Sequence, residues 1–158
     1  MLIPIDPSPA TICAEGVNLL TPLVTRGTAL ALFVQRAHWA TRGEAFGPFH
    51  ALFGEVYQGL VEAVDDIAEG AAALGAADSL GAATEIPVRE LPSLDGLELC
   101  GPIATGLKDF LGAVYAAYAR CEEMGLVADA GILQGVAVGV RKLGWKVFSH
   151  TLKAPPRG

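Results

Sequence analysis

Apolar residues recur at intervals of three and four along most of this chain, in four separate runs, and that period points to helices rather than strands. The first run is Leu19, Leu20, Leu23, Val24, Leu30, Phe33, Val34 and Ala37. Arg42-Gly43-Glu44 breaks the pattern, which resumes at Phe49, Leu52, Phe53, Val56, Leu60, Ala63, Ile67 and Leu74. A second helix from Phe46 to Leu74 would be about 40 Å long at ~1.5 Å per residue. Ile103, Leu107, Phe110, Leu111, Val114 and Tyr118 mark a third helix ending before Gly125. Ile132, Leu133, Val136, Val140, Leu143 and Val147 mark a fourth. Strand-like alternation is absent from the sequence.

Between the second and third runs, from Gly75 to Pro102, Gly, Pro, Asp and Ser accumulate without a sustained period. That stretch predicts a long connection with room for a short helix. Four helices joined by short, long and short connections describe an all-α, ferritin-like four-helix bundle. The 158 residues fit one domain, 1–158, with 1–14 and 153–158 expected as flexible tails. Gly131, Gly135 and Gly139 fall along one stripe of the fourth helix, which predicts close packing of a neighbouring helix within the bundle.

Hydrophobic residues make up 52% of the chain and charged residues 18%. The apolar share is high for a soluble domain, so part of the surface is expected to be buried between subunits. The longest stretch free of charge and histidine runs only from Ala130 to Val140, short of the ~20 apolar residues that cross a bilayer. No membrane partner is expected. The first ten residues lack the basic and apolar regions of a signal peptide, and the expected location is cytoplasmic. Cys13, Cys100 and Cys121 are odd in number and far apart, which argues for reduced thiols rather than disulfides or a thiolate metal site. The formal charge is −6, and residues 1–25 contain no Lys or Arg. Phosphate neutralisation dominates nucleic-acid affinity, so DNA binding is not expected.

Two groups of side chains could carry chemistry. Asp65 and Glu69 stand four apart on one face of the second helix, a pair that suits a hard cation. With Glu62 and Asp66 they fit a solvated acidic face equally well. His38 closes the first helix and His50 opens the second, so the intervening turn can bring two imidazoles together. Such a pair serves either as packed, hydrogen-bonded core histidines or as ligands for ferrous iron or zinc. The third histidine, His150, is read as structural or exposed. The Glu-x-x-His pairs of a di-iron site inside one subunit do not occur, so a complete site would draw on two subunits.

The run Ala37-His38-Trp39-Ala40-Thr41-Arg42-Gly43, then Phe46, Phe49-His50-Ala51-Leu52-Phe53, Asp65-Asp66-Ile67-Ala68-Glu69 and Ala73-Leu74-Gly75 resembles the Dps family of mini-ferritins. Weaker similarity continues through Leu91-Pro92 to Lys142-Leu143-Gly144-Trp145, covering about residues 15 to 152. The resemblance implies a homododecameric hollow shell whose iron-oxidising sites lie at two-fold subunit interfaces. His38 and His50 would come from one subunit, and Asp65 and a bridging Glu69 from its partner. Hydrogen peroxide, or more slowly oxygen, would accept the electrons. Trp39 would stand beside the site as an aromatic able to absorb oxidising equivalents, or simply pack in the core.

The chain departs from the family in two places. Four residues after the second histidine the family has an aspartate, and this chain has Gly54. The adjacent Glu55 would point about 100° away around the helix. The iron position built from His38, Asp65 and Glu69 is complete, whereas the one left with His50 and a shared Glu69 is weakened. At the start of the fourth helix, where relatives carry an acidic pore lining, this chain has Leu126-Val127-Ala128-Asp129. The expected function is iron oxidation and storage in a cage. The alternative is a shell of the same architecture with an impaired oxidation site, and a nucleoid-binding role comes third.

Overall fold

A computed structural model describes residues 4–81, 86, 87 and 89–152. Four long helices carry the chain: α1 (Ala10–Ala40), α2 (Phe46–Ala71), α4 (Gly96–Met124) and α5 (Val127–Ser149). A π-helical turn, Ala72–Ala76, and the short α3, Ala77–Gly81, follow α2 in the crossover. Among the described residues there is no strand, only one isolated bridge between Arg42 and Asp95. The all-α, ferritin-like bundle with a long crossover holding a short helix is the architecture observed.

The apolar stripes meet in one core. Leu20 and Val34 from α1, Phe53, Val56, Leu60 and Ile67 from α2, Leu99, Ile103 and Leu107 from α4, and Leu133 and Val147 from α5 are almost fully buried. α1 packs chiefly on α2 and α4 on α5, so the molecule is two helical hairpins joined face to face. The three cysteines are free and buried, and burial pushes the thiols of Cys100 and Cys121 up to about 11.

Several boundaries differ from the sequence expectations. The N-terminal tail does not reach residue 14, because α1 starts at Ala10 and Cys13 is buried. Ahead of it, the Ile5 N–H donates to the Ala73 carbonyl at 3.0 Å. The C-terminal tail, 153–158, lies outside the described residues. α4 starts at Gly96 and runs through Pro102, so the crossover is shorter than Gly75 to Pro102. The Asp95 carboxylate explains this start, accepting the N–H groups of Leu97 and Glu98 at 2.9 and 3.1 Å. Gly125, at φ 74°, ends α4, and the Leu126 N–H returns to the Cys121 carbonyl at 2.9 Å.

The glycine stripe of α5 faces outward. A Cβ at Gly131, Gly135 or Gly139 would meet nothing within 4 Å, so among the described residues no other helix packs there. α1 is by length and hydropathy apolar enough to cross a bilayer, which the charge-free stretches of the sequence do not reveal. Arg26 and Arg36 lie within it, and Leu20, Leu23 and Val34 face the other helices.

Candidate metal centre

The end of α1 and the start of α2 converge because the five residues between them turn sharply. Thr41 leaves the helix in an extended conformation, Gly43 takes φ 99°, and the Phe46 N–H closes onto the Gly43 carbonyl at 3.1 Å. Arg42 anchors this turn to the crossover, its N–H reaching the Leu94 carbonyl at 2.9 Å.

This turn brings His38 and His50 into stacked contact, ring centroids 3.8 Å apart and planes 20° from parallel. Each ring is held by the other residue's backbone. Nδ1 of His38 lies 2.6 Å from the His50 carbonyl, and Nδ1 of His50 lies 2.8 Å from the His38 carbonyl. A carbonyl oxygen only accepts, so each Nδ1 must carry the proton. In the neutral rings both Nε2 atoms are then left as lone-pair donors, the tautomer a metal ligand needs. Phe46 continues the stack on the other side of His50 at 4.9 Å.

The four expected site residues fall into two groups. Asp65 and Glu69 are exposed on α2, about 22 and 28 Å beyond His50 at ~1.5 Å per residue. One chain therefore keeps the carboxylates away from the histidines. Among the described residues no three His, Cys, Asp or Glu side chains gather as a metal-binding group. Trp39 is 66% exposed in the single chain, so it does not pack in that chain's own core. His150 is exposed, its ring edge-on to Phe49 at 5.3 Å.

Gly54 stands one helical turn beyond His50, and the His38 ring lies over it: a Cβ there would be 3.0 Å from Cε1 and 3.1 Å from Nδ1. Glu55 is engaged elsewhere, in an ion pair with Lys146 of α5. Asp129 is 3% exposed and turned into the bundle beside Gly70, so it does not line an outward-facing pore. Burial, with a smaller contribution from the charge of Asp6, raises its carboxyl above the usual range.

A curated relative from Deinococcus radiodurans, DNA protection during starvation protein 2, is 30% identical over 82 residues. The match takes in 52% of this chain and 34% of the relative, so the chain spans about a third of its length. DpsC from Streptomyces coelicolor superposes with a TM-score of 0.85 over 100% of this chain and 95% of that one, at 19% identity. The fold is that of the Dps proteins. Dps from Microbacterium arborescens, solved in a high iron form, gives a TM-score of 0.74 at 24% identity over 94% of this chain and 98% of that one. No protein-family model matches the chain. Sequence match and shared fold uphold the resemblance to the Dps family within the ferritin-like bundles.

The sequence reading named Phe46 only within a motif and Gly54 only as a missing ligand, and it gave Lys146 no part at the site. Phe46, His50 and Gly54 recur every four residues and so share one face of α2, a spacing that marks Phe46 and Gly54 as partners of the histidine pair. Lys146, by contrast, meets Glu55 only through tertiary packing, and no local signal identifies it.

Proposed function

We propose that this chain is the subunit of a Dps-type cage that binds ferrous iron between subunits, oxidises it and retains the ferric product. The observation that carries the reading is the His38–His50 pair, two imidazoles held in the tautomer that leaves both Nε2 atoms free. Asp65 and Glu69, exposed on the same helix and beyond reach within one chain, supply the carboxylates when a second subunit brings its α2 alongside. Glu69 serves as the bridging ligand. Imidazole nitrogen with carboxylate oxygen is a donor set suited to ferrous iron, and the carboxylates neutralise its charge.

In the reaction two ferrous ions each give one electron to hydrogen peroxide. The O–O bond breaks, both oxygen atoms take up protons to leave as water, and two ferric ions remain to hydrolyse to mineral. Oxygen is the slower oxidant. The position formed by His38, Asp65 and Glu69 binds first, and the one with His50 and the shared Glu69 more weakly, because Gly54 offers no carboxylate. Assembly as a homododecamer covers apolar side chains that the single chain leaves outside, Trp145 at 67% exposed and Phe148 on α5, and Leu152 just beyond its end. A shell of twelve chains each at −6 repels DNA, and the protein works in the cytoplasm.

A second reading keeps the cage and withdraws efficient oxidation, making the protein a metal-binding or structural shell. Gly54 favours it, and Glu55, the next residue in the chain, points away from the histidine face and is held in an ion pair with Lys146.

Anaerobic ferrous loading followed by a peroxide pulse separates the two. Rapid growth of ferric absorbance, with iron eluting in a dodecamer-sized peak and both lost in Glu69→Ala, supports the oxidising cage. An assembled shell that oxidises iron no faster than buffer leaves the second reading.

A further inference from the structure

We propose that Gly54 is a positioning residue for His38: the position is kept free of a side chain so that the His38 imidazole can occupy that space. Along α2, Phe46, His50 and Gly54 follow one another at four-residue intervals on one face. Rings stack along this face, Phe46 on His50 at 4.9 Å and His50 on His38 at 3.8 Å. The third ring arrives from α1 and fills the place where a side chain of residue 54 would begin, 3.0 Å from His38 Cε1 and 3.1 Å from Nδ1.

A Cβ at that separation requires the ring to retreat by a few tenths of an ångström. His38 has little freedom to do so. Its Nδ1 is fixed at 2.6 Å on the His50 carbonyl, and its outer face lies against the His50 ring. Retreat therefore strains the contact that sets its tautomer. A larger side chain competes with the imidazole for the same volume. The absent carboxylate and the seated histidine are in this way one feature, and restoring an aspartate at this position unseats a ligand instead of adding one.

The functional consequence rests on the metal-site reading above, but the seating of the ring does not, so the test has two arms. Solid-state nitrogen spectra of metal-free, histidine-labelled protein distinguish an imidazole protonated at Nδ1 from one protonated at Nε2, in any assembly state. Anaerobic cobalt(II) titration reports affinity and stoichiometry. Wild-type protein should show His38 and His50 protonated at Nδ1. Gly54→Ala, which removes no ligand, should lose that uniform signature and bind cobalt about 10-fold more weakly, the low end of what lost outer contacts cost a metal site. Gly54→Asp should lose it too and gain no additional cobalt per histidine pair. Gly47→Ala, on the same helix with nothing within 4 Å of its Cβ, is the control and should change neither.

Gly54→Ala with the wild-type spectrum and affinity overturns the proposal, as does Gly54→Asp holding an extra cobalt with the His38 signature intact. Wild-type protein that binds no cobalt sinks the metal reading alone, and the spectra of Gly54→Ala still decide the role of Gly54.

Discussion

His38 and His50 each donate Nδ1–H to the other's carbonyl, at 2.6 and 2.8 Å, so neither ring is positioned independently of the other. Removing one imidazole deletes a ligand and also frees the carbonyl and stacking face that hold the second. Contacting residues of this kind are expected to be non-additive. His38→Ala and His50→Ala should each weaken ferrous binding by about 10-fold or more, a scale typical of disturbed metal-site support. The double variant should be little worse than the poorer single one. Anaerobic ferrous titration of the three variants measures this coupling, and full additivity would mean that the rings act separately.

Asp129 makes a pH prediction whose sign follows from its burial. Desolvation raises its carboxyl in the folded chain above the ordinary 3.8, and the nearby charge of Asp6 adds to the shift. Between 3.8 and that raised value the folded chain binds more protons than the unfolded one, so this group's contribution falls as pH rises. The loss is complete once pH exceeds the folded value. Asp129→Asn should remove this slope and melt higher than wild type at neutral pH. Thermal unfolding of both proteins across the acidic and neutral range tests it, and parallel pH profiles would refute it.

How far the sequence discloses this molecule depends on whether a feature is local. Helix periodicity is local, and the four stripes from Leu20 through Val147 are the buried stripes of the fold. Asp95-Gly96-Leu97-Glu98 is also local, a helix-start pattern that outweighs the breaker signal of Pro102. Reading Pro102 as the helix boundary placed α4 several residues late. The proline sits beyond the capped first turn and costs one backbone hydrogen bond without ending the helix. The glycine stripe of α5 shows the opposite limit. Spacing puts Gly131, Gly135 and Gly139 on one face but carries no information about which face, and that face points away from the chain's own core. At the candidate centre, residue types and the turn between them reveal the histidine pair. The reciprocal carbonyl contacts and the ring over Gly54 depend on how α1 lies against α2, which no spacing encodes.

The Asp95 cap is itself testable. Its carboxylate satisfies two N–H groups that the first turn of α4 would otherwise leave without partners. Asp95→Ala should cost about 0.5–2 kcal/mol in chemical denaturation. Because Gly96 lies directly under the Phe49 ring, fraying there should also loosen the start of α2. Hydrogen exchange should accelerate at Leu97 and Glu98 first and around Phe49 next, with the middle of α4 unaffected.

Lys146 and Glu55 join α5 to α2 one residue beyond Gly54, with side chains 40% and 50% exposed. Solvent at that level screens the pair, which limits it to about 0–1 kcal/mol. Lys146→Ala should therefore change stability by less than about 1 kcal/mol, an effect that shrinks further in high salt. The variant also frees Glu55, which directly follows the missing ligand position in the chain. Successive residues on a helix are turned about 100° from one another, so Glu55 leaves the backbone in a different direction from the His50–Gly54 face. Ferrous stoichiometry in Lys146→Ala should equal that of wild type. One more ion per subunit in this variant would show that Glu55 can swing into the site and that the ion pair normally keeps it out.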